Sequence, residues 1–126
     1  MKSAEKKISR SDAVPYILLI ALSTHAVFEG IVLGLETEMA SVLAIIFAIL
    51  IHKGVEGICL GISLVKTYPD DFNRIRLLVI VFSLATPVGV LIGIFATGAG
   101  ETAHVIMSSL VAGTFVYISC NEILVE

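Results

Sequence analysis

Read for its alternation of apolar and polar positions, the chain divides into four long apolar runs separated by short polar breaks. The runs extend from Ala13 to Leu35, from Ala40 to Val65, from Leu77 to Ala96 and from His104 to Val125. None of them alternates polar with apolar at period 2 over its length, which excludes half-buried strands. Each can cross a membrane as a helix, because a hydrocarbon layer about 30 Å thick takes about 20 residues rising about 1.5 Å apiece. The breaks carry the residues that interrupt helices: Glu36-Thr37-Glu38, then Lys66 to Arg76 with Pro69, Asp70 and Asp71, then Thr97-Gly98-Ala99-Gly100-Glu101. The predicted fold class is all-α, an integral membrane helical bundle with four transmembrane helices in residues 13–126 behind a leader of residues 1–12.

Composition supports the membrane assignment. Of 126 residues 57% are hydrophobic, ten more are glycine and only 15% are charged, with a mean hydropathy of +1.01. That balance excludes a disordered chain, a coiled coil and a soluble core. Eight basic residues against eleven acidic ones give a net charge of −3, so no basic surplus exists to hold nucleic acid. The distribution of charge speaks to orientation. Lys2, Lys6, Lys7, Arg10, Lys66, Arg74 and Arg76 fall on one side of the spans, while the other two breaks carry acids and no Lys or Arg. The positive-inside rule places the leader and the Lys66–Arg76 break in the cytosol. The leader is charged and its following apolar run is too long for a signal peptide. Cys59 and Cys120 lie within apolar runs and do not form a secreted disulfide framework.

With the spans set, the informative residues are the ionisable ones inside them, since a charge near the bilayer centre costs about 2.5–3.5 kcal/mol even on insertion scales. They are His25 and Glu29 in the first span, and His52, Lys53 and Glu56 in the second. The pattern H-x-x-x-E-G-I-x-L-G occurs twice, from His25 to Gly34 and from His52 to Gly61. Spacing of i to i+4 puts each His and Glu on one helix face, about 5–6 Å apart at Cβ and within reach of a single ion. A short loop makes the two helices antiparallel, so the motifs meet at one depth, with His25 nearest the level of Glu56 and Glu29 nearest that of His52. Two imidazoles and two carboxylates suit Zn²⁺ best, with Fe²⁺, Mn²⁺ and Cd²⁺ within the range of such a donor set. No thiolate closes the site, which favours release over storage. Gly30, Gly34, Gly57 and Gly61, with Gly54, present small surfaces at helical spacing and are expected to let the two backbones approach closely.

Blander readings accompany these. A single membrane histidine can be a packing residue bonded to a carbonyl, though a duplicated His/Glu clip is hard to explain that way. Lys53 has a simple alternative role as the ion-pair partner of Glu29 or Glu56. Pro87, with Gly89 and Gly93, is expected to kink or shape the third helix. Glu122 near the end of the fourth helix can snorkel to water, and His104 and Glu101 read as interfacial residues.

His25-Ala26-Val27-Phe28-Glu29-Gly30 with Leu33-Gly34-Leu35, and His52-Lys53-Gly54-Val55-Glu56-Gly57, resemble the fourth and fifth helices of the ZIP (Zrt-, Irt-like) metal transporters. Pro87-Val88-Gly89 with Ile92-Gly93, and Ala112-Gly113-Thr114-Phe115-Val116-Tyr117 before Asn121-Glu122-Ile123-Leu124, extend the likeness from Val14 onward. It is closest to the branch holding the vertebrate plasma-membrane members ZIP one to three. The resemblance implies an eight-helix protein that imports zinc or related divalent ions into the cytosol through a site in mid-membrane, with no organic cofactor. It implies metal ligands at His25, Glu29, His52 and Glu56, pathway positions at Ala26, Lys53 and Glu122, and a multi-pass location in the plasma membrane. Family members with two adjacent ions have a polar residue after each motif histidine. Ala26 and Lys53 stand there instead, implying one ion with the Lys53 ammonium in place of a second. Against eight helices, this chain holds counterparts of helices four to seven. The implied partners are therefore the metal ion, the bilayer, and either the remaining helices of a full-length protein or further copies of the chain.

Functions of other classes fare worse. A bis-histidine haem carrier would set Glu29 and Glu56 beside an apolar macrocycle. An intramembrane metalloprotease needs H-E-x-x-H, and the order here is His then Glu with no second His on the helix, so an enzyme is not expected. Ser23 beside Thr24 and His25 lacks oxyanion donors. A non-transporting subunit that binds metal or assembles with full-length transporters remains the main alternative to transport itself.

Overall fold

The computed structural model describes residues 10–125, with side chains from 13 to 120. Residues 1–9 of the leader and the Glu122 side chain lie outside the described part, and the last three leader residues, Arg10 to Asp12, belong to α1. Four helices account for nearly all of the described chain: α1 (Arg10–Leu35), α2 (Met39–Thr67), α3 (Phe72–Phe95) and α4 (Glu101–Val125), with a short 3₁₀ turn at Thr97–Ala99 between the last two. All four contain stretches long and apolar enough to cross a membrane, as a helical membrane bundle requires. Helical geometry satisfies the backbone within each segment, which is the only way an open segment can lie in hydrocarbon.

All four helices extend beyond the apolar runs, α1 by three residues at its start and α2 by one at its start and two at its end. α3 starts at Phe72, five residues before Leu77, because the Asp71 carboxylate accepts the Arg74 backbone N–H at 3.2 Å and caps the first turn. α4 starts at Glu101, where Gly100 adopts a positive φ of 84° that a side chain would resist. α3 remains helical through Pro87.

α1 is the central element and touches each of the other three. Two distinct contacts hold it. In the half of the bundle nearest the α2–α3 connection, Leu19, Leu22 and Ala26 of α1 meet Leu60 and Leu64 of α2, Phe82 and Ala85 of α3, and Ile118 of α4 in one buried cluster. In the other half the contact is between backbones. A methyl on Gly30, Gly34, Gly89 or Gly93 would come within 3.0 Å of the facing helix, so α1 and α3 touch where neither has a side chain. Gly30 meets Gly89 and Gly34 meets Gly93, in the same order along both helices, as two parallel helices with glycines four apart must pair.

This corrects the expected role of the glycines. Gly30 and Gly34 do bring two backbones together, but the partner is α3 and not α2. Gly54, Gly57 and Gly61 have nothing within 4 Å of where a Cβ would stand. Spacing shows that a helix face is small without showing which of several small faces it meets.

Candidate metal centre

Between these two contacts the ionisable residues converge. His25 is completely buried, Glu29 is 3% exposed and Glu56 is 8% exposed, whereas His52 remains half-buried. The antiparallel α1–α2 hairpin sets His25 against Glu56 and Glu29 against His52, in the cross-paired register that the motif spacing implies. His25 Nε2 lies 3.2 Å from Glu29 Oε1 on its own helix and 3.4 Å from Glu56 Oε1 on α2. His52 Nε2 contacts Glu29 Oε1 directly. One ligand atom from each of His25, His52 and Glu56 falls within 4.8 Å of the others.

Donor chemistry and spacing fit a divalent ion. With zinc–ligand bonds of about 2.0–2.2 Å, tetrahedral ligand atoms stand roughly 3.3–3.6 Å apart. The two His25 separations fall at or just below that range. His25 Nε2, Glu29 Oε2 and Glu56 Oε2 are buried and have no hydrogen-bond partner. Buried polar atoms are nearly always partnered, so three in one cluster call for an explanation, and a shared cation supplies one.

Other residues complete the surroundings. Phe115 of α4 packs against both imidazoles, with ring centroids 5.8 Å from His25 and 5.7 Å from His52. The Thr114 hydroxyl lies 2.8 Å from His25 Nδ1. Ala26, one of the expected pathway positions, is fully buried in the apolar cluster. Lys53 forms no ion pair with Glu29 or Glu56 among the described residues. Its ammonium donates to the Thr86 hydroxyl at 2.6 Å and sits 4.3 Å from the Phe82 ring centroid, so α3 holds it. At the far end of the bundle, His104 Nε2 stands 3.3 Å from Glu36 Oε2 and ties the start of α4 to the α1–α2 loop.

Two cavities flank the cluster, and His52 and Phe115 line both. One, of about 240 Å³, reaches His25 and Glu29 from the side of Ser108 and Val111. The other, of about 230 Å³, reaches Glu56 from the side of Cys59, Ile118 and Ser119. Sequence reasoning singled out the four charged or imidazole groups but attached no role to Thr86, Thr114 or Phe115. The repeated motif lies on α1 and α2 alone, and these three residues come from α3 and α4.

Comparison with known proteins points the same way. The family model of the ZIP zinc transporters matches residues 1–126. Protein zntD of Dictyostelium discoideum is 37% identical over 116 residues, covering 88% of this chain and 17% of its own length. Zinc transporter ZIP1 of Danio rerio is 39% identical over 113 residues, covering 86% of this chain and 37% of its own. Zinc transporter ZIP2 of Mus musculus is 33% identical over 121 residues, covering 92% and 39%. The chain thus spans well under half the length of these relatives. No solved structure shows a significant match.

Proposed function

Because the chain belongs to the ZIP zinc transporter family, we propose that it carries the ion-binding part of a path for divalent metal across the membrane, with zinc the foremost cargo. The ligands are His25, Glu29, His52 and Glu56. The observation that carries this reading is the buried cluster itself, in which three polar atoms lack hydrogen-bond partners and two carboxylates lie in what is otherwise apolar helix. A dipositive ion balances two carboxylates and accepts imidazole lone pairs. No hydrophobic packing role explains that donor set.

The cavities and the charge asymmetry support a path through the cluster. An ion enters from the side of Glu36, Glu38 and Glu101, reaches His25 and Glu29 through the first cavity and exchanges its water for the four donors. It leaves past Glu56 through the second cavity, toward the end carrying Lys66, Arg74 and Arg76, which the positive-inside rule assigns to the cytosol. The direction is therefore import, and the plasma membrane is the proposed location. Fe²⁺, Mn²⁺ and Cd²⁺ share the donor preferences to differing degrees.

A second reading is favoured by the chain's small share of its relatives' length, 17–39% in the three compared. In it, these helices bind the ion and move it only when assembled with further helices, whether of a full-length transporter or of other copies. One experiment tests both. The purified chain in detergent is titrated with zinc beside a His25→Ala/His52→Ala variant, and both are reconstituted for uptake. About one ion bound per chain, lost in the variant, supports the site, and saturable zinc flux then supports transport by this chain alone. Binding without flux supports the second reading. Equal binding by both forms would refute the site.

A further inference from the structure

We infer that Thr114 is a positioning residue for the ion: it selects the tautomer of His25 and so presents the nitrogen that binds metal. The inference rests on the reading of His25 as a ligand.

The argument begins with the single proton of a threonine hydroxyl. Thr114 Oγ1 lies 2.8 Å from the Leu110 carbonyl and 3.0 Å from the Val111 carbonyl, both on its own helix. A carbonyl only accepts, so the hydroxyl proton is directed at the α4 backbone and the oxygen turns its lone pairs away from it. His25 Nδ1 stands 2.8 Å from that oxygen. With the hydroxyl proton already committed, the bond requires Nδ1–H to donate to Thr114 Oγ1.

The opposite face of the ring agrees. A neutral imidazole protonated at Nδ1 carries its lone pair on Nε2. That nitrogen is the one 3.2 Å from Glu29 Oε1 and 3.4 Å from Glu56 Oε1, and it is buried with no hydrogen-bond partner. A proton on Nε2 would be a buried donor without an aligned acceptor, which is costly. A lone pair there is what an incoming cation needs, and an oxygen acceptor on the far nitrogen is the usual way a protein holds a ligating histidine. Thr114 thus joins α4 to a ligand of α1 without touching the ion.

The test uses the whole chain in detergent, labelled with ¹⁵N-histidine, with wild type compared to Thr114→Val, Thr114→Ser and His25→Ala. Wild type is expected to show His25 as the Nδ1–H tautomer, and Thr114→Ser to retain both that signature and zinc affinity. Thr114→Val, of nearly the same shape, leaves Nδ1–H without an acceptor. It is expected to shift the tautomer toward Nε2–H and to weaken zinc binding by about 10–100-fold, the range for outer partners of ligating histidines. An Nε2–H tautomer in the wild type overturns the inference. So does full zinc affinity in Thr114→Val when His25→Ala has lost it. Should Thr114→Val not fold, the wild-type tautomer and the serine variant still decide. Unchanged zinc affinity in His25→Ala overturns the ligand assignment itself, and that failure is separable from a failure of Thr114 alone.

Discussion

At the scale of single residues, the groups that matter most are those whose chemistry conflicts with their surroundings. His25, Glu29, His52 and Glu56 stand out in the sequence because hydrocarbon penalises each of them. Thr114 and Thr86 do not, since a threonine in a membrane helix ordinarily bonds back to the carbonyl one turn earlier. Thr24 does so here to Ile20 and Thr67 to Ser63, just as Thr114 does to Leu110. Only the neighbouring helix shows that one of these hydroxyls has a second partner. Outside the membrane, Glu36 makes a testable pH contribution. The Glu38 backbone N–H, with that of Thr37 and the His104 ring, holds its carboxyl below the ordinary value of 4.5. A depressed folded-state value means stability that is present above 4.5 and lost as pH falls through the lower folded value. Glu36→Gln should therefore flatten the acid side of the melting-temperature profile, below about pH 5, and leave neutral pH less affected. Parallel acid declines in the two proteins would show that the carboxyl contributes nothing to the fold.

At the scale of elements, hydropathy located four helices but not their ends or their pairing. Phe72 to Arg76 and Glu101 to Ala103 are too polar to read as membrane span, yet they are helical. A helix satisfies its own backbone whether or not its side chains are apolar, so it continues until a cap or a glycine stops it. The glycines show the same gap between pattern and packing. Two substitutions separate the faces. Gly34→Ala would put a methyl 2.9 Å from Gly93 Cα and force α1 from α3, at a cost of about 1–3 kcal/mol by the usual penalty for overpacking. Gly57→Ala meets nothing within 4 Å and should be neutral or stabilising by up to about 1 kcal/mol through helix propensity. Unfolding in mixed micelles measures both, and equal stability of the two variants would contradict an α1–α3 contact made through backbone.

At the scale of the whole molecule, α1 lies among the other three helices, while α2 and α4 turn large apolar side chains outward. Phe47, Leu50, Ile58 and Tyr117 are each more than 60% exposed, as suits a surface in contact with lipid or with further helices. The His/Glu cluster sits between the apolar cluster at one end of α1 and the glycine contact at the other, and it draws its side chains from two helices. Zinc should accordingly bind the folded bundle and not the unfolded chain. At one hundred times its dissociation constant it would add about 2.7 kcal/mol of stability, seen as a raised melting temperature that His25→Ala/His52→Ala abolishes. No shift in the wild type would mean that the four groups do not act as one site. The sequence by itself determined the membrane class, the four spans and the repeated His/Glu clip, because hydrocarbon selects residue types strongly enough to read along a single chain. It also implied the cross-paired register, since a short loop forces antiparallel neighbours. Only the tertiary structure decided that α1 meets α3 through glycine, that Lys53 is held by Thr86 and Phe82, and that Thr114 addresses His25. These are contacts between helices distant in sequence, and inside a membrane many small faces are chemically alike, so geometry selects among them where composition does not.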